Sequence, residues 1–93
     1  MGSLRIGRAH RLEAAELRRR VDALADRLVA RYGGGCQWRG DTLHYRRPGG
    51  IDAEIHCAAD QLRVEVSLGP LANFLRGTIE RELKTALDNQ FGD

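Results

Sequence analysis

The sequence predicts an α+β fold: a two-layer sandwich in which an antiparallel sheet carries two amphipathic helices on one face, in the order β-α-β-β-β-β-α. Three observations lead there. Two segments, Glu13 to Tyr32 and Leu71 to about Asn89, repeat apolar residues at helical spacing. Between them lie segments that alternate apolar and polar residues with a period of two. Glycine, proline and aspartate stand at the joints. Clean alternation means one wet sheet face and one covered face, and only the two helices are available as the cover.

Leu4-Arg5-Ile6-Gly7-Arg8 alternates and reads as a short first strand. The first helix follows, with Leu17, Val21, Leu24, Leu28 and Tyr32 on one stripe and Ala14, Ala25 and Val29 beside it. Glu13 and Glu16 near its start and Arg27 and Arg31 near its end suit the helix dipole. Gly33-Gly34-Gly35 ends it, because glycine readily adopts the left-handed conformation of a helix C-cap. Cys36 to Arg39 and Thr42 to Arg47 form a hairpin around Gly40-Asp41, with Trp38, Leu43 and Tyr45 on the inward face. Pro48-Gly49-Gly50 turns the chain. Ile51, Ala53, Ile55 and Cys57 then point inward, and Leu62, Val64, Val66 and Leu68 do so after the turn at Ala59-Asp60-Gln61. Gly69-Pro70 breaks the last strand and opens the second helix, whose stripe is Leu71, Phe74, Leu75, Ile79, Leu83, Ala86 and Leu87. Gly77 interrupts this helix; a small residue there is expected to permit close packing.

The 93 residues are expected to form one domain over 1–93, since a chain this short cannot support two cores. Apolar residues make up 42% and charged residues 30%, a balance that builds a core and excludes disorder. The net charge of +2 is too small for a dedicated nucleic-acid binder. It is unevenly spread: residues 1–35 carry eight arginines against four acids. No apolar run approaches the roughly 20 residues of a membrane helix. Arg5 and Arg8 interrupt any signal-peptide core, so the expected location is the cytoplasm. Two cysteines, Cys36 and Cys57, are too few for a disulfide scaffold.

The outer sheet face should display Thr42, His44, Arg46, Asp52, Glu54, His56, Arg63, Glu65 and Ser67. His44, His56, Glu54 and Glu65 are metal-capable, and the two histidines approach each other if their strands are neighbours. No CxxC, HExxH or HxH spacing is present, so the expectation is a solvated face of cross-strand charge pairs with no metal site. Cys57 lies on the core face and its neighbour His56 on the opposite one, which opposes a Cys–His nucleophile. Arg18, Arg19 and Arg20 offer a basic helix surface, but consecutive residues do not share a stripe, and acids interrupt them. The triple glycine follows a helix, whereas phosphate cradles precede one. No catalytic constellation and no cofactor site emerge from these residues.

Four ordered stretches carry a family likeness: His10-Arg11-Leu12 leading into the first helix, Trp38 to Leu43, Val64 to Leu71, and Leu75 to Glu80. With Gly49 and Gly50 before an apolar strand run, they make the chain resemble the polyhydroxyalkanoic acid system proteins, small granule-region proteins of bacteria. The resemblance implies an association with polyester storage granules and supplies no catalytic residue. The expected function is therefore a non-enzymatic accessory protein that binds a partner protein or the polyhydroxyalkanoate granule surface. A homodimer formed through a sheet edge is compatible with this. One alternative is a carrier of a small hydrophobic, hydroxyacyl-type ligand, with Trp38, Tyr45, Leu71, Phe74 and Leu75 as its walls. Another is a nucleic-acid-binding regulator working through Arg18, Arg19 and Arg20.

Overall fold

The computed structural model describes residues 2–70 and 73–91. The elements are β1 (Gly2–Ala9), α1 (Ala14–Tyr32), β2 (Gly35–Arg39), β3 (Thr42–Arg47), β4 (Ile51–Cys57), β5 (Gln61–Leu68) and α2 (Arg76–Phe91). A short 3₁₀ turn at Asn73–Leu75 precedes α2. The sheet is antiparallel with spatial order β1-β5-β4-β3-β2. Strands β2 to β5 form a meander joined by tight turns. The α1 crossover carries the chain from one sheet edge to the other. Five strands at about 4.8 Å spacing span roughly 19 Å, a width that the roughly 28 Å length of a 19-residue helix can cross obliquely. Both edge strands, β1 and β2, leave backbone groups unpaired along one side, the geometry on which a strand-paired dimer would rest.

Burial follows the alternation read from the sequence. Leu43, Tyr45, Ile51, Ala53, Ile55, Leu62, Val64, Val66 and Leu68 are buried on the covered face, joined by Leu4 and Ile6 from β1. Leu17, Val21, Leu24 and Ala25 of α1 and Ile79, Leu83 and Leu87 of α2 close the core from above. The α1 C-terminus is capped by Gly33, whose N–H donates to the Val29 carbonyl at 2.8 Å. Gly34 has φ +88°, and a Cβ there would stand 2.4 Å from the Arg46 carbonyl oxygen, so no other residue fits.

Two expectations about the second helix are corrected. The helix starts at Arg76, and Phe74, in the 3₁₀ turn, is 80% exposed instead of packed in the core. The reason is angular. Leu75, Ile79, Leu83 and Leu87 repeat every four residues, but Phe74 is nine positions from Leu83 and half a turn out of phase with it. Leu71 lies outside the described residues. Gly77 also fails to serve close packing, since a Cβ there would meet nothing within 4 Å.

Candidate functional site

Among the described residues, a concave groove with an apolar floor lies between the helices. Leu24 and Leu28 of α1 and Ile79, Leu83 and Ala86 of α2 form its floor. Arg27, Arg31, Tyr32, Arg81, Glu82 and Thr85 stand around it, and the volume is about 380 Å³. That size falls within the range of about 300–1,000 Å³ typical of small-ligand pockets. The groove exists because the two helices rest side by side on a curved sheet and meet along only part of their length. Leu28 and Ala86 are half-buried on their facing sides.

Three guanidinium groups and one carboxylate give the rim a positive balance. Arg31 Nη2 approaches Glu82 Oε1 at 2.6 Å across the helix pair, and the Tyr32 hydroxyl donates to Glu82 Oε2. The Tyr32 hydrogen bond, followed by the charge of Arg31, holds the Glu82 carboxyl below its usual range. Partial burial, reinforced by the adjacent Glu82, keeps the Tyr32 phenol protonated to higher pH than usual. At neutral pH the rim therefore offers guanidinium donors beside one anchored carboxylate, which already takes the Tyr32 hydroxyl proton. Arg27 and Arg81 are exposed.

The opposite face of the sheet carries a second constellation. His44, Glu54 and Glu65 are directly paired across β3, β4 and β5. Glu54 lies between the two histidines: His44 Nδ1 is 3.3 Å from Glu54 Oε2 and His56 Nε2 is 3.4 Å from Glu54 Oε1. The adjacency of β3 and β4 thus brings both histidines to one carboxylate.

The sequence profile of the family described as "putative polyhydroxyalkanoic acid system protein" matches residues 4–91. The chain belongs to this family. No curated protein and no solved structure matches it. Among the described residues, no helix is long and apolar enough to cross a membrane, a statement that leaves strands aside.

For this polyhydroxyalkanoic acid system family member, the structure separates Trp38 and Tyr45 from Phe74 and Leu75 among the five residues expected to wall a ligand cavity; the fifth, Leu71, lies outside the described residues. Tyr45 is buried, and its hydroxyl donates to the Gly33 carbonyl. Trp38 lies at the β2 edge, where its Nε1–H donates to Asp22 at 2.8 Å and the Arg18 guanidinium covers its ring at 4.0 Å. Phe74 and Leu75 precede α2, which packs on β1 at the far edge. Strands β5 and β4 lie between β1 and the Tyr45 strand, and β3 as well for Trp38, so Trp38 and Tyr45 share no cavity with Phe74 and Leu75. None of the four described residues lines the interhelical groove.

The three arginines are likewise dispersed. Arg18 is committed to Trp38 and to the Gly40 carbonyl at 3.0 Å. Arg19 and Arg20 both clasp Glu16, whose carboxyl is held below its usual range by those hydrogen bonds. Arg20 also donates to the Gln90 carbonyl at the end of α2, where carbonyls lack helical partners. These residues tie the chain to itself and do not form one cationic stripe. Both thiols are pushed up in pKa, chiefly by burial, so Cys36 and Cys57 stay protonated at neutral pH.

Sequence reasoning did not identify the groove residues Arg27, Tyr32, Arg81 and Glu82 as a set. The available signal was Arg27 and Arg31 flanking Leu24 and Leu28 at helical spacing. Which α2 residues would face them depends on how the two helices dock.

Proposed function

We propose that this chain is a non-catalytic accessory protein of polyhydroxyalkanoate metabolism that holds a hydroxyacyl chain, free or at the end of the polyester, in the groove between α1 and α2. The carrying observation is a groove of about 380 Å³ with an apolar floor beneath a rim of Arg27, Arg31 and Arg81. Such chains combine aliphatic carbons, ester carbonyls and a terminal carboxylate. The leucine and isoleucine floor suits the carbons, and the exposed Arg27 and Arg81 guanidinium groups suit ester carbonyls and a carboxylate through their N–H donors. Family membership supports the polyester context, and with it a cytoplasmic setting beside storage granules.

The test is titration calorimetry of the folded chain with 3-hydroxyoctanoate and with a short 3-hydroxybutyrate oligomer, together with co-sedimentation on protein-stripped granules. Binding that is lost in Arg27→Glu/Arg81→Glu, with circular dichroism unchanged, is the expected result. Absence of binding to every probe, or binding unaffected by the double substitution, overturns the reading.

A second reading rests on Phe74, a large apolar side chain that is 80% exposed. It is placed to insert into the granule surface itself. In that case Phe74→Ser abolishes sedimentation with stripped granules and leaves the calorimetric titration untouched. Sedimentation with native granules alone points instead to a protein partner.

A further inference from the structure

The outer sheet face holds a group that the hydroxyacyl reading does not use. Glu54 Oε1, His56 Nε2 and Glu65 Oε1 converge, with the ligand atoms of the three residues all within 4.8 Å of one another. His56 Nε2 is 3.4 Å from Glu54 Oε1 and 3.9 Å from Glu65 Oε1. Atoms bound about 2.0–2.2 Å from a tetrahedral zinc ion lie about 3.4 Å apart. The His56–Glu54 side already has that length, the His56–Glu65 side is longer, at 3.9 Å, and a small closing of the carboxylates, each within 4.8 Å, completes the set. We propose that Glu54, His56 and Glu65 form a surface site for a divalent transition-metal ion of the zinc type, with a coordination position left open to solvent.

Two further contacts hold the group in a geometry that a metal can use, with the His56 Nδ1–H donating to Thr42 when Nε2 is the ligand. The Thr42 hydroxyl lies 3.2 Å from His56 Nδ1, which fixes the ring with Nε2 turned toward the carboxylates. Ligand histidines characteristically have their second nitrogen held in this way. His44 Nδ1 stands 3.3 Å from the other oxygen of Glu54 and so orients that carboxylate. In addition, Glu54 and Glu65 are direct cross-strand partners, a like-charge pairing that is unfavourable without a cation between them. Arg5 stands opposite Glu65 and Arg63 opposite His56, and their positive charge weakens the site relative to a structural zinc centre.

The experiment is titration of the untagged chain with cobalt(II), read by visible d–d absorption, followed by displacement with zinc(II). The expected result is a band saturating at one equivalent and bleached by zinc. Glu65→Gln, which keeps the side-chain shape, and His56→Ala each lower affinity at least tenfold with the far-ultraviolet spectrum unchanged. Thr42→Val lowers it about 10–100-fold by freeing the ring. Cys36→Ser, a control for the exposed thiol, leaves binding intact. A wild-type chain with no saturable band overturns the proposal. So does binding that survives both Glu65→Gln and His56→Ala, or binding lost in Cys36→Ser.

Discussion

Leu87 and Phe74 both belong to the apolar series read along the last quarter of the chain, and their roles should separate under truncation. Leu87 is 0% exposed and Phe74 is 80% exposed. Truncating a fully buried leucine to alanine removes its transfer free energy and leaves a cavity, a cost of about 2–5 kcal/mol. Small domains hold about 5–15 kcal/mol in total, so Leu87→Ala should forfeit a large share. A loss of about 3 kcal/mol in a domain of this length lowers Tm by about 12–24 °C, at 4–8 °C per kcal/mol. Phe74→Ala removes little buried surface and should change stability by about 0.5 kcal/mol or less. Urea and thermal unfolding followed by circular dichroism measure both variants against wild type. The argument fails if Leu87→Ala costs under about 1 kcal/mol, or if Phe74→Ala costs as much as Leu87→Ala. The pair also clarifies function. A loss of granule binding in Phe74→Ala at unchanged stability assigns that loss to the surface, whereas the same loss in Leu87→Ala would reflect unfolding.

Further outcomes follow from the backbone and the charges. Gly34→Ala must place a Cβ 2.4 Å from the Arg46 carbonyl at φ +88°, whereas Gly40→Ala, at φ +61°, meets nothing within 4 Å. Gly40→Ala should cost about 1–3 kcal/mol of backbone strain, and Gly34→Ala more, because β2 and β3 must also shift; equal urea midpoints would contradict the Gly34 contact. Gly77→Ala fills open space inside a helix and should stabilise by up to about 1 kcal/mol, seen as a raised Tm. Glu16 and Glu82 both have folded pKa values below 4.5, so the folded state binds fewer protons than the unfolded chain as pH falls below that value. Their contribution is complete above the unfolded pKa and is lost as pH drops through the folded ones. A Glu16→Gln/Glu82→Gln variant should therefore show a shallower acid loss of urea midpoint than wild type, and parallel profiles would refute the assignment.

Strands β1, β3, β4 and β5 were legible because each buries one face, and a period of two records that burial directly; β2, at the edge, has no fully buried residue and was legible from its hairpin turn. Leu43 and Tyr45, or Leu62, Val64, Val66 and Leu68, cannot exchange faces without a one-residue register slip that would expose them all. The first helix was legible for the same reason at its own period, and Gly33 to Gly35 marked its end. The start of the second helix was not, because an apolar residue near a helix terminus carries no sign of whether the chain is already helical. Phe74 fits an apolar list but not the 100° phase of Leu75, Ile79, Leu83 and Leu87.

The sites divide along a similar line. Local sequence determined that Glu54, His56 and Glu65 share the wet face of the sheet, since side-chain direction in a strand is set by parity alone. That Glu54 stands opposite both His44 and Glu65 required the order β5-β4-β3 and the registers of two ladders. The interhelical groove is more remote still. Its two walls, Arg27 to Tyr32 and Ile79 to Ala86, are separated by nearly fifty residues and an entire sheet. Each wall is an ordinary amphipathic shoulder by itself. Only the docking of both helices on one curved surface decides how far apart they lie and which guanidinium groups face the gap. Alternation and phase are properties of neighbours along the chain and can be read from it. A cavity is the space left after distant elements have packed, and packing is decided by the whole core at once.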